Sequence, residues 1–91
     1  MNGFAYLDKY GILHCNSSKD TAIESAKNGK IIPTDLCDGG GYLDENGMNV
    51  FINTSEKTFS HGKNSNKDHE LSETEFARRY PKTYAVYRQL I

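Results

Sequence analysis

The chain has 91 residues, of which 36% are hydrophobic and 25% charged, and its net charge is -1. That length allows a single domain over 1–91 with a modest core, and that apolar share excludes wholesale disorder. A near-neutral balance supplies no strong field for nucleic acid or a membrane surface, and no apolar run approaches the roughly eighteen residues that suggest a membrane span.

The average hides a mild asymmetry. Residues 1–60 carry 5 Lys/Arg against 8 Asp/Glu, whereas residues 71–91 carry 4 against 2. The opening MNGFAYLDKYG lacks a basic stretch followed by an apolar run, so no signal peptide is read there. Cys15 and Cys37 are too few for a disulfide scaffold and form no CxxC. The sequence therefore reads as a cytoplasmic protein with reduced thiols. A single Cys15–Cys37 bridge is the alternative if the chain is exported by another route.

The first predicted element is a hairpin over about 4–15. Phe4–Leu7 and Ile12–Cys15 flank Asp8-Lys9-Tyr10-Gly11, with Asp at the first and Gly at the fourth position of a type I turn. Gly11 takes the left-handed position of a three-residue loop. A short helix follows over about 20–28, with Ser18, Asp20 or Thr21 as its cap and Gly29 as its stop. Lys30-Ile31-Ile32 reads as a brief strand that Pro33 confines to an edge or ends. Thr34–Gly41 is a turn-rich connection.

The second hairpin, about 41–53, repeats the first in writing: AYLDKYG becomes GYLDENG. Asn46-Gly47 is the strongest short hairpin signal. A two-residue loop there sets Leu43 opposite Val50 and Tyr42 opposite Phe51. The Tyr-Leu-Asp-x-x-Gly unit resembles one unit of the WG-type β-hairpin repeats over about ten residues per copy. The Trp-Gly part is missing, and the resemblance carries no function across.

From Thr54 to Leu71 the chain is almost wholly polar. This predicts a loop, with 60–70 its polar centre and Gly62–Asp68 mobile. Ser72 and Glu75 then form a capping box, stapled by Leu71 and Phe76. The C-terminal helical segment, 73–91, is kinked or broken at Pro81.

Three groups of residues invite a functional reading. Arg78, Arg79, Lys82 and Arg88 flank a helical stripe of Tyr80, Tyr84, Tyr87 and Ile91, and basic residues interleaved with aromatics suit single-stranded nucleic acid. A stripe at that spacing also suits packing on a sheet, with the basic residues in water. His14, Cys15, Cys37, Asp38, His61 and His69 lack the tight spacing of a zinc site. His14 and Cys15 alternate along a strand and so point to opposite faces. Cys37 with His61 is the one nucleophile–base pair available to a small enzyme. No Gly-rich phosphate loop is present, and no metal or cofactor is expected.

These readings combine into an α+β domain. An antiparallel sheet of 4–5 strands, built from the two hairpins, carries the C-terminal helical segment on one face. Tyr6, Tyr42 and Phe51 fall on the opposite face as an aromatic patch of the kind that marks a partner surface. The expected function is a non-enzymatic interaction module, binding another protein or itself through that face or an open sheet edge. Nucleic-acid binding by the basic, tyrosine-rich helices is the first alternative and a small Cys/His enzyme the second.

Overall fold

The computed structural model describes residues 2–63, 66–67 and 69–91. It is an α+β fold in which two antiparallel sheets, rather than one, share a core with the C-terminal helices. β1 (Gly3–Leu7) lies between β2 (Leu13–Asn16) and β3 (Ile32–Thr34). β4 (Leu43–Glu45), β5 (Met48–Asn53), β6 (Thr58–Gly62) and β7 (His69–Leu71) form a four-stranded meander. α1 (Lys19–Ser25) follows β2, and α2 (Glu73–Arg79) and α3 (Pro81–Leu90) close the chain.

Both hairpins turn as their glycines require. In the first, Asp8 N–H donates to the Ile12 carbonyl at 2.9 Å, which leaves three loop residues with Gly11 at φ +82°. In the second, Asn46 and Gly47 both have positive φ, and Leu43 pairs with Val50. β3 contains Pro33 and forms one edge of the small sheet, where the missing N–H costs no ladder bond.

The seam between the sheets runs along the outer side of β2. Ile12 bridges Asn53, the Cys15 N–H donates to the Gly41 carbonyl at 3.1 Å, and the Thr54 N–H donates to the Gly11 carbonyl at 2.8 Å. Cys15 and Cys37 are joined in a disulfide across this seam, with Cα atoms 5.8 Å apart. The expectation of free thiols gives way to its alternative. The turn-rich 38–42 segment folds back and brings Cys37 beside β2, although 22 residues separate the two cysteines.

The expected loop over 54–71 is corrected over much of its length. Residues 54–57 form a turn, while Thr58–Gly62 and His69–Leu71 are strands. Alternation explains it: Phe59 and Leu71 pair facing the core, while Ser60 and Glu70 pair on the other face. Residues 64, 65 and 68 of the expected mobile stretch lie outside the described residues.

Ser72 caps α2 as expected, its Oγ accepting from the Glu75 N–H at 3.1 Å. The helix ends at Arg79, and Pro81 opens α3 at its first position, so the chain breaks there rather than kinks. Ser18 caps α1, which stops at Ser25, three residues short of the expected end. One cluster holds the core: Ala5, Leu13, Leu43, Val50, Ile52, Phe59, Phe76, Tyr80, Val86 and Leu90, with Cys15. α2 packs on β6, and α3 on β1, β3 and β4. Tyr6 and Ala22 are buried apart from this cluster, where α1 packs on β1 and β2. Among the described residues, no buried side-chain nitrogen or oxygen lacks a hydrogen-bond partner.

Candidate binding cleft

Alternation along β1, β2 and β5 turns Tyr6, His14 and Phe51 away from the main core. Across the seam they form a row with Tyr42: ring centroids lie 6.1 Å apart for Tyr6–His14, 6.0 Å for His14–Tyr42 and 5.3 Å for Tyr42–Phe51. The last contact is edge-to-face, the arrangement that aromatic quadrupoles favour. It follows from the two-residue turn at Asn46-Gly47, which fixes the register that puts Tyr42 level with Phe51.

The aromatic patch expected on this face is largely buried and borders a cleft. Tyr6 and Phe51 are only 9% and 8% exposed, and Tyr42 is half-buried. Tyr6 does not line the opening. The cleft has a volume of about 170 Å³ and is bounded by Ile12, His14, Tyr42, Phe51, Ser60 and Lys67, among others. The Lys67 ammonium stands 6.0 Å from the Phe51 ring centroid, at the outer limit of a cation–π contact. Ile12, Ser60 and Lys67 are not among the residues the sequence singles out, and His14 stands there only among the metal-ligand candidates. His14 carried a signal, since it sits opposite Tyr6 on the paired strand; Lys67 carried none.

His14 is a wall of this cleft. Its Nε2 lies 3.0 Å from Asp8 Oδ2, and its Nδ1 lies 3.2 Å from the Gly41 carbonyl oxygen. Both ring nitrogens face the protein's own oxygens. The Asp8 carboxylate is similarly engaged, its other oxygen accepting from the Tyr10 and Ile12 N–H groups at 2.8 and 2.9 Å.

The remaining candidates are placed elsewhere. Cys37 is bonded to Cys15 and has no thiol to pair with His61. His61 is buried on β6 with Nδ1 2.5 Å from the Tyr80 hydroxyl oxygen. Burial pushes the Tyr80 phenol up from its ordinary value; Arg79 opposes that shift and Glu45 adds to it. Among the described residues, no group of three or more His, Cys, Asp or Glu is placed to hold a metal.

The basic residues are divided between α2 and α3. Arg78 and Arg79 both pair with Glu75, and Lys82 is exposed on the first turn of α3. Arg88 lines a separate groove with Lys57, Glu73 and Tyr87. The tyrosine rings of the stripe each make contacts within the protein. Tyr80 is buried, Tyr84 and Tyr87 lie 5.5 Å apart, and Tyr87 meets Phe59 edge-on. The Tyr84 hydroxyl donates to Glu73 at 2.7 Å, and this bond to a carboxylate holds its phenol above the usual range.

Among the described residues, no helix is long and apolar enough to cross a membrane. Compared with protein-family models, with curated proteins and with solved structures, the chain matches none.

Proposed function

We propose that the protein is a small non-enzymatic interaction module that holds a protein partner by one apolar side chain seated against Tyr42 and Phe51. The observation that carries this reading is the aromatic cleft of about 170 Å³ on the side of the meander away from α2 and α3. An apolar cavity of about 150 Å³ accepts a benzene ring, so this one fits a single Leu, Phe or Tyr side chain. Anchors of that size, desolvated at the centre of a contact, carry most of the binding energy in protein interfaces. Lys67 at the rim favours an acidic residue beside the anchor.

Pairing through an open sheet edge has less support. β3 and β7 are three residues long, and β3 contains Pro33. Short edges interrupted by proline are the forms that resist strand addition.

The test is a heteronuclear NMR titration of the folded protein with free phenol and with indole as probes of the anchor. The expected result is saturable shifts at His14, Tyr42, Phe51 and Ser60, with a dissociation constant on the order of a millimolar. Tyr42→Ala, at a half-exposed position, weakens binding several-fold without unfolding the chain. Shifts scattered over the surface, or none at high probe concentration, would sink the reading.

A further inference from the structure

The two ends of the disulfide differ in what can reach them. Cys15 is 1% exposed, at the centre of β2 and within the core cluster. Cys37 is half-buried, at the start of the turn that carries the three glycines. Beside it lies a cleft of about 70 Å³, bounded by Asn16, Ser17, Gly39 and Gly41 together with both cysteines. No atom lies within 4 Å of where a Cβ would stand on Gly39 or Gly41, so this side is open. The other side is closed, because a Cβ on Gly3 would stand 2.9 Å from Cys37 Cβ and Sγ.

The buried partner has somewhere to go. Cys15 Sγ lies 3.2 Å from the Tyr42 carbonyl oxygen. A disulfide sulfur has no hydrogen to donate; a thiol released at that position does. The strand and turn also stay joined without the sulfur bridge. The Cys15 N–H still donates to the Gly41 carbonyl, and the Asn2 side-chain amide brackets Cys37, its Nδ2 donating to the carbonyl and its Oδ1 accepting from the N–H.

We propose that Cys37 is a site of reversible S-thiolation by a small cellular thiol of the glutathione class. The thiolate attacks Cys37 Sγ, and a mixed disulfide forms there. The Cys15–Cys37 bond breaks, with its electron pair leaving on Cys15 Sγ. That sulfur takes a proton and donates to the Tyr42 carbonyl. A second small thiolate can then attack the mixed disulfide, leaving Cys37 as a thiolate and the two small thiols oxidised to one disulfide. Two electrons pass from the small thiols to the protein. The selectivity comes from exposure: both cysteines border the cleft, but Cys15 is 1% exposed within the core cluster whereas Cys37 is only half-buried.

The test uses the folded, oxidised protein and limiting reduced glutathione, quenched with acid and mapped by mass spectrometry. Glutathione is expected on the Cys37 peptide in at least about ten-fold excess over the Cys15 peptide. Equal labelling, or an excess on Cys15, overturns the proposal. Two variants sharpen it. With oxidised glutathione, the Cys37 thiol of Cys15→Ser reacts in native buffer, whereas the Cys15 thiol of Cys37→Ser reacts only in urea. If Cys37 also needs urea, the proposal fails. Should neither variant fold, the peptide map of the wild-type protein decides alone. None of these readouts depends on a partner in the aromatic cleft.

Discussion

Glu45 shows how much of this fold rests on single residues. It stands on β4, 5% exposed, and its carboxylate caps a helix that begins 36 residues later. Oε1 accepts from the Thr83 N–H at 2.8 Å and from the Thr83 hydroxyl at 2.6 Å, and Oε2 accepts from the Lys82 N–H at 3.1 Å. Pro81 has no N–H to satisfy and Tyr80 offers no side-chain cap, so Glu45 supplies the whole N-terminal cap of α3. Glu45→Ala should lower stability by about 3 kcal/mol, because it strands buried donors. Glu45→Gln should cost about half as much, since one carbonyl oxygen still accepts. Urea midpoints measure both, and equal losses would show that packing rather than capping is at stake. Tyr80 makes a second case through pH. Its phenol titrates above the unfolded value of 10.0 because it is buried. The unfolded chain therefore loses this proton first, and the contribution is complete below pH 10 and lost as pH rises through the higher folded value. Tyr80→Phe should be less stable at pH 8, having lost the hydroxyl partner of His61. The gap to the wild type should then narrow in melts between pH 9 and 11. A constant gap would contradict the assignment.

At the scale of elements, the repeat that is written and the repeat that is folded are different. AYLDKYG and GYLDENG share letters, yet the structural twin of the first turn is Asp38–Tyr42. Asp8 Oδ1 accepts from the N–H groups of Tyr10 and Ile12; Asp38 Oδ1 accepts from those of Gly40 and Tyr42. Asp8 and Asp38 each donate their own N–H across the turn at 2.9 Å, to Ile12 and Tyr42. Gly11 and Gly41 occupy the same left-handed position, at φ +82° and +95°. Asp44 instead donates its N–H back to the Leu36 carbonyl. The notation Asp-x-x-Gly thus hides two geometries, and the residue pairs beyond the turn decide between them. Gly11 and Gly47 make the difference testable. Both have positive φ, but a Cβ on Gly11 would stand 2.6 Å from the hydroxyls of Thr54 and Ser55, while nothing lies near Gly47. Those hydroxyls are not free to move aside, as they donate to the Gly11 and Tyr10 carbonyls. Gly47→Ala should cost about 1 kcal/mol, for conformation alone. Gly11→Ala should cost about 3, since it also parts the two sheets at their seam. Similar thermal shifts for the two variants would mean that the seam contributes little.

At the scale of the molecule, what could be read from the chain was local and what could not was distant. Turn types, the β4–β5 register, the Ser72 cap and an interruption of the helix at Pro81, as a kink or a break, each depend on residues within about ten positions of one another. The aromatic row was half legible, because Tyr42 and Phe51 are paired by one turn, while His14 joins them only across the seam. The strands β6 and β7 stayed hidden because their outward residues, Ser60 and Glu70, read as loop. The Glu45 cap and the Cys15–Cys37 bond join positions that nothing local connects. The bond is also where the seam can be tested as a whole. Closing a 22-residue separation removes conformational freedom from the unfolded chain, which the loop-entropy relation converts to about 3 kcal/mol. A domain of this length holds on the order of 5–10 kcal/mol in total. Cys15→Ala with Cys37→Ala should therefore still fold, but with its urea midpoint lowered by a third or more. Gly41 and Asn2 continue to hold the turn to β2 through backbone and amide bonds, so the double variant should keep the near-ultraviolet signal of the Tyr42–Phe51 contact. Loss of that signal at zero denaturant would mean that the sulfur bridge, and not the hydrogen-bonded seam, sets the shape of the cleft.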